Sequence, residues 1–334
     1  MAHRAYDRSN VTTCRKSNHL THREESEFSV NLGQYLARQQ RRVDMFLDQC
    51  VPAPAVGDPL VQAMRYSLFS GGKRLRPILA IAAAEAVGGA LRTVLPFACA
   101  LELIHTYSLI HDDLPAMDDD ALRRGKPTSH VVFGEGIAIL AGDALLTEAF
   151  RVMAEAARTS SLSPRRTLQV LSEVAQAAGV RGMVAGQAAD LCAESMPPEL
   201  PMVEWIHIRK TGALIRAAVR TGALLGGAGT AQLHRLTRYA EFLGLAFQVA
   251  DDILDTEGAL HVTGKTRGRD QVRQKATFPA VLGMATAKQR ARELLATALD
   301  ELRPFKRQAD PLRGIARFTV GRACPPNGDT GARR

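Results

Sequence analysis

Asp112, Asp113, Asp118, Asp119 and Asp120 crowd into the stretch HDDLPAMDDD, and Arg123, Arg124 and Lys126 follow at once. Five carboxylates so close together repel one another unless a cation sits among them, and hard divalent ions with oxygen ligands are the usual guests. The basic residues beside them call for an anion. A phosphate-bearing substrate carried on Mg²⁺ satisfies both demands. Alone, the stretch reads equally well as a solvated loop with capping aspartates, because Asp is favoured at helix starts and in turns.

A second cluster shifts that balance. Asp251, Asp252 and Asp255 in FQVADDILDTEG follow another apolar run. On a helix, residues three and four apart share a face, so these carboxylates lie together and would destabilise the helix without a counter-ion. Three further strings carry polar or charged groups. SGGKRLRP places Lys73, Arg74 and Arg76 after a glycine pair and just before a helix, where backbone amides and the helix N-terminus both favour negative charge. IRKTGALI carries Lys210 and Thr211 inside an apolar-periodic run, and GQAADL carries Gln187 and Asp190. Two of them have plainer readings, an ordinary basic turn for GGKR and a snorkelling surface lysine for Lys210.

The elements that must position these residues are helices. The 334-residue chain is 46% apolar but only 5% aromatic, with Ala and Leu prominent, and runs rich in β-branched and aromatic residues are scarce. An all-α fold follows. Near-helical spacing begins about Phe28 and runs to Cys50, and EGIAILAGDALLTEAFRVMAEA is apolar almost all round, which predicts a buried helix. Residues 1–27 lack an apolar core and mix both charges, so they are expected to be a disordered extension, as are residues 323–334; the catalytic domain is expected to span 28–322. HVTGKTRGRDQVRQK reads as a mobile polar loop over the site. The net charge of +9 is spread along the chain without long basic runs, which favours a small acidic substrate over nucleic acid. Five cysteines without a CxxC pair point to a reducing, cytoplasmic setting, and no apolar segment is expected to span a bilayer.

Two acidic clusters on separate helices can face each other across a bundle, the usual way bundles hold metals. With GGKRLRP, HTYSLIHDDLPAMDDDALRRGKPT, GDALL, GQAADL, RKTGALI, FQVADDILD and GKTRGRDQVRQKATFPA in this order, the chain resembles the trans-isoprenyl diphosphate synthases, most of all the bacterial farnesyl diphosphate synthases, from about Phe28 to Arg322. The resemblance implies one large bundle of mostly antiparallel helices around a central cavity, the isoprenoid synthase fold, and a homodimer. It implies that isopentenyl diphosphate is joined to an allylic diphosphate (dimethylallyl or geranyl), with three Mg²⁺ ions held by Asp112, Asp113, Asp118, Asp251, Asp252 and Asp255. Of the first motif, Asp112 and Asp118 are then the expected direct ligands. Lys73, Arg76, His105 and Arg124 match the isopentenyl diphosphate site, and Arg123, Lys210, Thr211, Gln248 and Lys265 match residues around the allylic diphosphate. Gln187 and Asp190 match polar residues lining the metal side.

Product length is argued from helix geometry. Ser108 and Tyr107 lie four and five residues before Asp112, hence about 6 to 7.5 Å below it, and a bulky Tyr107 would stop the chain near fifteen carbons. A geranylgeranyl or geranyl diphosphate synthase is the nearest alternative. A terpene cyclase is disfavoured by GGKRLRP, and a non-catalytic subunit by the two intact aspartate motifs. The departures are Gln274 in place of the usual glycine before the last loop lysine, additional arginines in that loop, and a looser ending at FTVGRACPP.

Overall fold

The computed structural model of the chain describes residues 22–193, 197, 199–257 and 277–324. The expected extension before residue 22, the tail after 324, and the loop that carries Lys265 and Gln274 lie outside the described residues. The fold is all-α. Helices α1 (His22–Cys50), α2 (Pro59–Leu68), α3 (Leu75–Ala86) and α4 (Leu91–Asp112) lead to a two-residue hairpin, β1 (Leu122–Arg123) with β2 (Lys126–Pro127). Then follow α5 (Ser129–Phe133), α6 (Glu135–Thr159), α7 (Pro164–Ala178), α8 (Met183–Ala193) and α9 (Leu200–His207). A π-helical turn over Ile208–Gly212 joins α9 to α10 (Ala213–Leu225), and α11 (Thr230–Glu257) bears the second aspartate motif. Helices α12 (Phe278–Leu282), α13 (Met284–Glu301) and α14 (Asp310–Gly321) are the last among the described residues. The first helix starts at His22 rather than Phe28, so the last six residues assigned to the extension are helical.

Local chemistry explains the boundaries. Asp58 accepts from the Val61 amide at 3.1 Å and Pro59 occupies the first helical position, which together start α2. Pro115 stops α4 three residues after Asp112, since it has no amide to donate. The backbone then turns tightly: the Asp118 amide donates to the Asp112 carbonyl at 2.8 Å, and the Asp119 and Asp120 amides to Leu114 and Asp113, each at 3.0 Å. This is the distortion that brings both ends of the DDxxxxD motif together.

Packing links the two motif helices through α10, which packs on α4 and α11 and also on α3 and α7. Helix α4 lies against α3 and α6, with Val94, Phe97, Leu101, Leu103 and Ile104 fully buried. By length and composition α4 could cross a membrane, contrary to the expectation for every segment, yet 67% of its apolar window is buried in the fold. A second apolar cluster, built on Val249, Ile253, Phe278, Ala291 and Val320, joins α11 to α12, α13 and α14. Helix α6 departs from its expected all-round burial. Ala138, Ala141, Gly142 and Leu145 are buried, but Ile139 and Leu140 stay exposed beside Val131 and Val132 of α5.

Candidate active site

The first basic half-site is built on a strained turn. Gly71 and Gly72 take positive φ, and Arg74 does so without being glycine, at φ 49°. Arg74 is held there by a buried network: Nε donates to Asp44 at 2.8 Å, and its two terminal nitrogens donate to Glu102 at 3.1 Å and to the Leu68 carbonyl at 2.7 Å. Arg74 therefore faces the protein, and Lys73 and Arg76 on either side are left for a ligand. A Cβ at Gly72 would lie 2.7 Å from the Arg124 guanidinium, so the glycine makes room for that side chain, which donates to the Gly71 carbonyl.

The hairpin turn Arg124–Gly125 has φ of 54° and 76°, the positive pair that a tight two-residue connection requires. It sends Arg124 to the glycine turn and Arg123 to Asp113. Beside Arg124 stand Arg76 and His105. Burial pushes Arg76 down to about 10, against the pull of Glu102 and Asp251, and burial followed by Arg76 and Arg124 holds His105 well below the usual imidazole range. Arg76 Nε and His105 Nδ1 are buried without a hydrogen-bond partner. Lys73, over the Phe318 ring at 6.0 Å, is lowered by burial and by Arg322. Cations weakened by burial and by one another, with buried polar atoms unpaired, are suited to an anion.

In the acidic half, Asp113 does not stand free. Arg123 clamps both of its oxygens, with Nε at 2.9 and 2.8 Å and a terminal nitrogen at 2.7 Å, and Asp113 is only 3% exposed. The bidentate fork engages both carboxylate oxygens and makes Asp113 an anchor for Arg123. Burial pushes Asp112 up; Lys210 and Arg123 oppose this, while Asp118 and Asp113 add to it. Lys210 donates to Asp190 at 2.6 Å, and despite the burial that works against it, Asp190, Asp112 and Asp118 hold its ammonium above the usual range. Tyr107, five residues before Asp112, is 7% exposed and edge-on to His111 at 5.7 Å. Ser108 donates back to the His105 carbonyl at 2.8 Å.

In the second motif, Asp251 meets Arg322 at 3.2 Å, and one oxygen of Asp255 is buried without a partner, as are both amide atoms of Gln187. Asp252 is 2% exposed and accepts from Gln248 Nε2 at 2.9 Å, His207 Nε2 at 3.1 Å and the Phe278 amide at 3.0 Å, which engages both of its oxygens. Gln248 in turn accepts from the Thr211 hydroxyl at 3.0 Å. Thr211 and Lys210 both sit in the π-turn, an element frequent at functional sites. The turn packs closely on α8, where a Cβ at Gly186 would lie 2.2 Å from the Lys210 amide nitrogen.

Among the described residues no three His, Cys, Asp or Glu side chains converge on one point as a ready metal cluster. The donor set nevertheless fits a hard cation. Burial and two like neighbours push Asp112 up, which a cation would relieve, and Asp255 keeps a buried oxygen unpaired. Arg74 and Glu102, which hold the first half-site, were not among the assigned residues. The available signal was Glu102 itself, a lone charge inside the apolar run ALELIH.

Residues 58–310 match the polyprenyl synthetase family. A farnesyl diphosphate synthase from Geobacillus stearothermophilus is 47% identical over 281 residues, covering 84% of this chain and 93% of that protein. The large subunit 1 of a heterodimeric chloroplastic geranylgeranyl pyrophosphate synthase from Arabidopsis thaliana is 44% identical over 92% of this chain and 83% of its own. Among solved structures, an FPP/GFPP synthase from Zymomonas mobilis superposes with a TM-score of 0.78 at 39% identity, covering 87% of this chain and 99% of that one.

Proposed function

This chain belongs to the polyprenyl synthetase family and is a prenyltransferase, and we propose that it is a Mg²⁺-dependent (2E,6E)-farnesyl diphosphate synthase. The observation that carries the product assignment is Tyr107, buried on α4 five residues before Asp112. Relatives named farnesyl and geranylgeranyl synthases lie at similar identity, so a twenty-carbon product is the second reading.

In this reading Asp112 and Asp118 of the first motif, with Asp251 and Asp255 of the second, hold Mg²⁺. When bound, Mg²⁺ supplies Lewis-acid neutralisation of a diphosphate. Lys210 and Arg123 carry positive charge to the allylic diphosphate, which makes it a better leaving group. Arg76, His105, Arg124 and Lys73 hold isopentenyl diphosphate, whose double bond attacks the allylic cation left once the carbon–oxygen bond to diphosphate has broken. The proton lost from the new chain goes to the released diphosphate, so no side-chain base is needed. The apolar helices around the site keep water from the cation. His105 enters neutral, able to donate one hydrogen bond without adding to the crowded positive field.

The exposed apolar face of Val131, Val132, Ile139 and Leu140 supports a homodimer through α5 and α6, since large apolar patches on a soluble chain mark interaction sites. Incubating the pure protein with labelled isopentenyl diphosphate, Mg²⁺ and each allylic primer, followed by product sizing, tests the function. Farnesyl diphosphate as the end product supports the assignment. A twenty-carbon end product replaces it with the second reading, and no diphosphate release with any primer removes both.

A further inference from the structure

Asp252, Gln248, Thr211 and His207 form one continuous chain of hydrogen bonds whose direction is determined at a single point. Three N–H donors converge on the two oxygens of Asp252, from Gln248, His207 and the Phe278 backbone. With three donors pointed at it, the buried carboxylate is an acceptor throughout. The Gln248 amide must then present its NH₂ group to Asp252, which turns its carbonyl oxygen to Thr211. An amide carbonyl can only accept, so the Thr211 hydroxyl gives its proton to Gln248. The Thr211 oxygen is left with its lone pairs and no proton for any other neighbour.

We propose that Asp252 is a positioning residue that sets the polarity of Thr211 through Gln248, so that the π-turn offers the reacting substrate an acceptor and never a donor. This rests on the prenyl-transfer reading, because an acceptor beside Lys210 suits positive charge developing on an allylic carbon, whereas a hydroxyl donor there would oppose it. His207 completes the device. Its ring stacks on Phe278 at 5.5 Å and its Nε2 fixes the far side of the carboxylate, which keeps Asp252 from rotating. The device links α9, the π-turn, α11 and the start of α12 through residues that spacing alone had divided between metal and diphosphate roles.

The test is Asp252→Asn in the full-length protein. Asparagine keeps the shape and can still accept from His207 and Phe278, but it gives an NH₂ group to Gln248. The Gln248 amide then reverses, and Thr211 becomes a donor to the site. The expected result is a fall in kcat of about 100- to 1,000-fold, the scale of one lost preorganised active-site dipole. KM for both substrates and calorimetric binding of Mg²⁺ with inorganic diphosphate are expected to stay within about threefold, with a melting temperature close to that of the wild type. Thr211→Ser should retain activity and Thr211→Val should lose it. In the Thr211→Val background Asp252→Asn should have no further effect, because coupled residues are not additive. Weakened Mg²⁺-diphosphate binding in Asp252→Asn would identify Asp252 as a direct ligand and overturn the proposal, as would multiplicative losses in the double variant. If the asparagine variant melts well below the wild type, Gln248→Met, which breaks the relay while leaving the carboxylate, must reproduce the loss of kcat with diphosphate binding intact, or the proposal fails. Failure of the wild type itself to make any prenyl product would remove the underlying reading instead.

Discussion

Replacing Tyr107 with alanine should lengthen the product by one five-carbon unit. Tyr107 lies five residues before Asp112, so its ring stands about 7.5 Å below the metal-binding end of α4 at 1.5 Å per residue. The next large side chains down the helix are Ile104 and Leu103, both fully buried. Removing the ring therefore opens about one helical turn, roughly 5.4 Å, before the growing chain meets a new floor. That is close to the extended length of one isoprene unit. Five more carbons buried at about 0.8 kcal/mol each contribute at most about 4 kcal/mol, which bounds the shift in partition between release and another round at roughly three orders of magnitude. Emptying a buried aromatic site costs about 3–5 kcal/mol of stability, so the variant must first be shown to be folded by circular dichroism and thermal melting. The assay is incubation with labelled isopentenyl diphosphate and geranyl diphosphate, phosphatase treatment and reversed-phase separation. A twenty-carbon major product is expected, with Tyr107→Phe still stopping at fifteen. A folded alanine variant with an unchanged product, or one giving a ladder of much longer chains without a twenty-carbon peak, would refute the geometry.

Binding of inorganic diphosphate at pH 6 should take up a proton, because burial and the neighbouring Arg76 and Arg124 hold His105 well below its ordinary value and an anion relieves the arginines' field. Calorimetry in buffers of differing ionisation enthalpy measures this, and equal heats in all buffers would contradict it. The same depressed value acts on folding. The unfolded state binds the proton first as pH falls, so His105's contribution is fully present above about 6.5 and is lost below it, and His105→Gln should flatten that acid limb in a stability-against-pH series. Arg123→Ala strands the buried Asp113 carboxylate and should cost about 3–5 kcal/mol in denaturant titration; a loss under 1 kcal/mol would show that the fork is not what holds the turn. Glu102→Gln removes the buried counter-charge beneath Arg74, Arg76 and Arg124. The variant should melt lower yet bind inorganic diphosphate more tightly, by about 1–2 kcal/mol or roughly tenfold, and weaker binding would reverse the assigned role of Glu102.

Helical class, the two acidic clusters and the glycine-flanked cations were legible in the chain because each depends on neighbours within a turn or two. Composition sets helix propensity, spacing sets which carboxylates share a face, and glycine pairs mark where the backbone must take positive φ. The hydrogen-bond partners of these groups have the opposite origin. Asp113 and Asp252 share the spacing of Asp112 and Asp251, but Arg123 comes back from a hairpin ten residues on, and the Phe278 amide arrives from 26 residues away. Arg74 stands among substrate cations in GGKRLRP, yet Asp44 and Glu102 from two other helices turn it inward. The exposed side of α6 escaped notice because Ile139 and Leu140 read as core until the packing leaves them uncovered. Residue type and local period thus specify which groups can carry charge and on which face of an element they lie. Which of those groups keep free lone pairs or protons for a ligand depends on hydrogen-bond partners that only the folded chain brings into reach, since a carboxylate already accepting from a buried arginine or a backbone amide has little left to offer a metal.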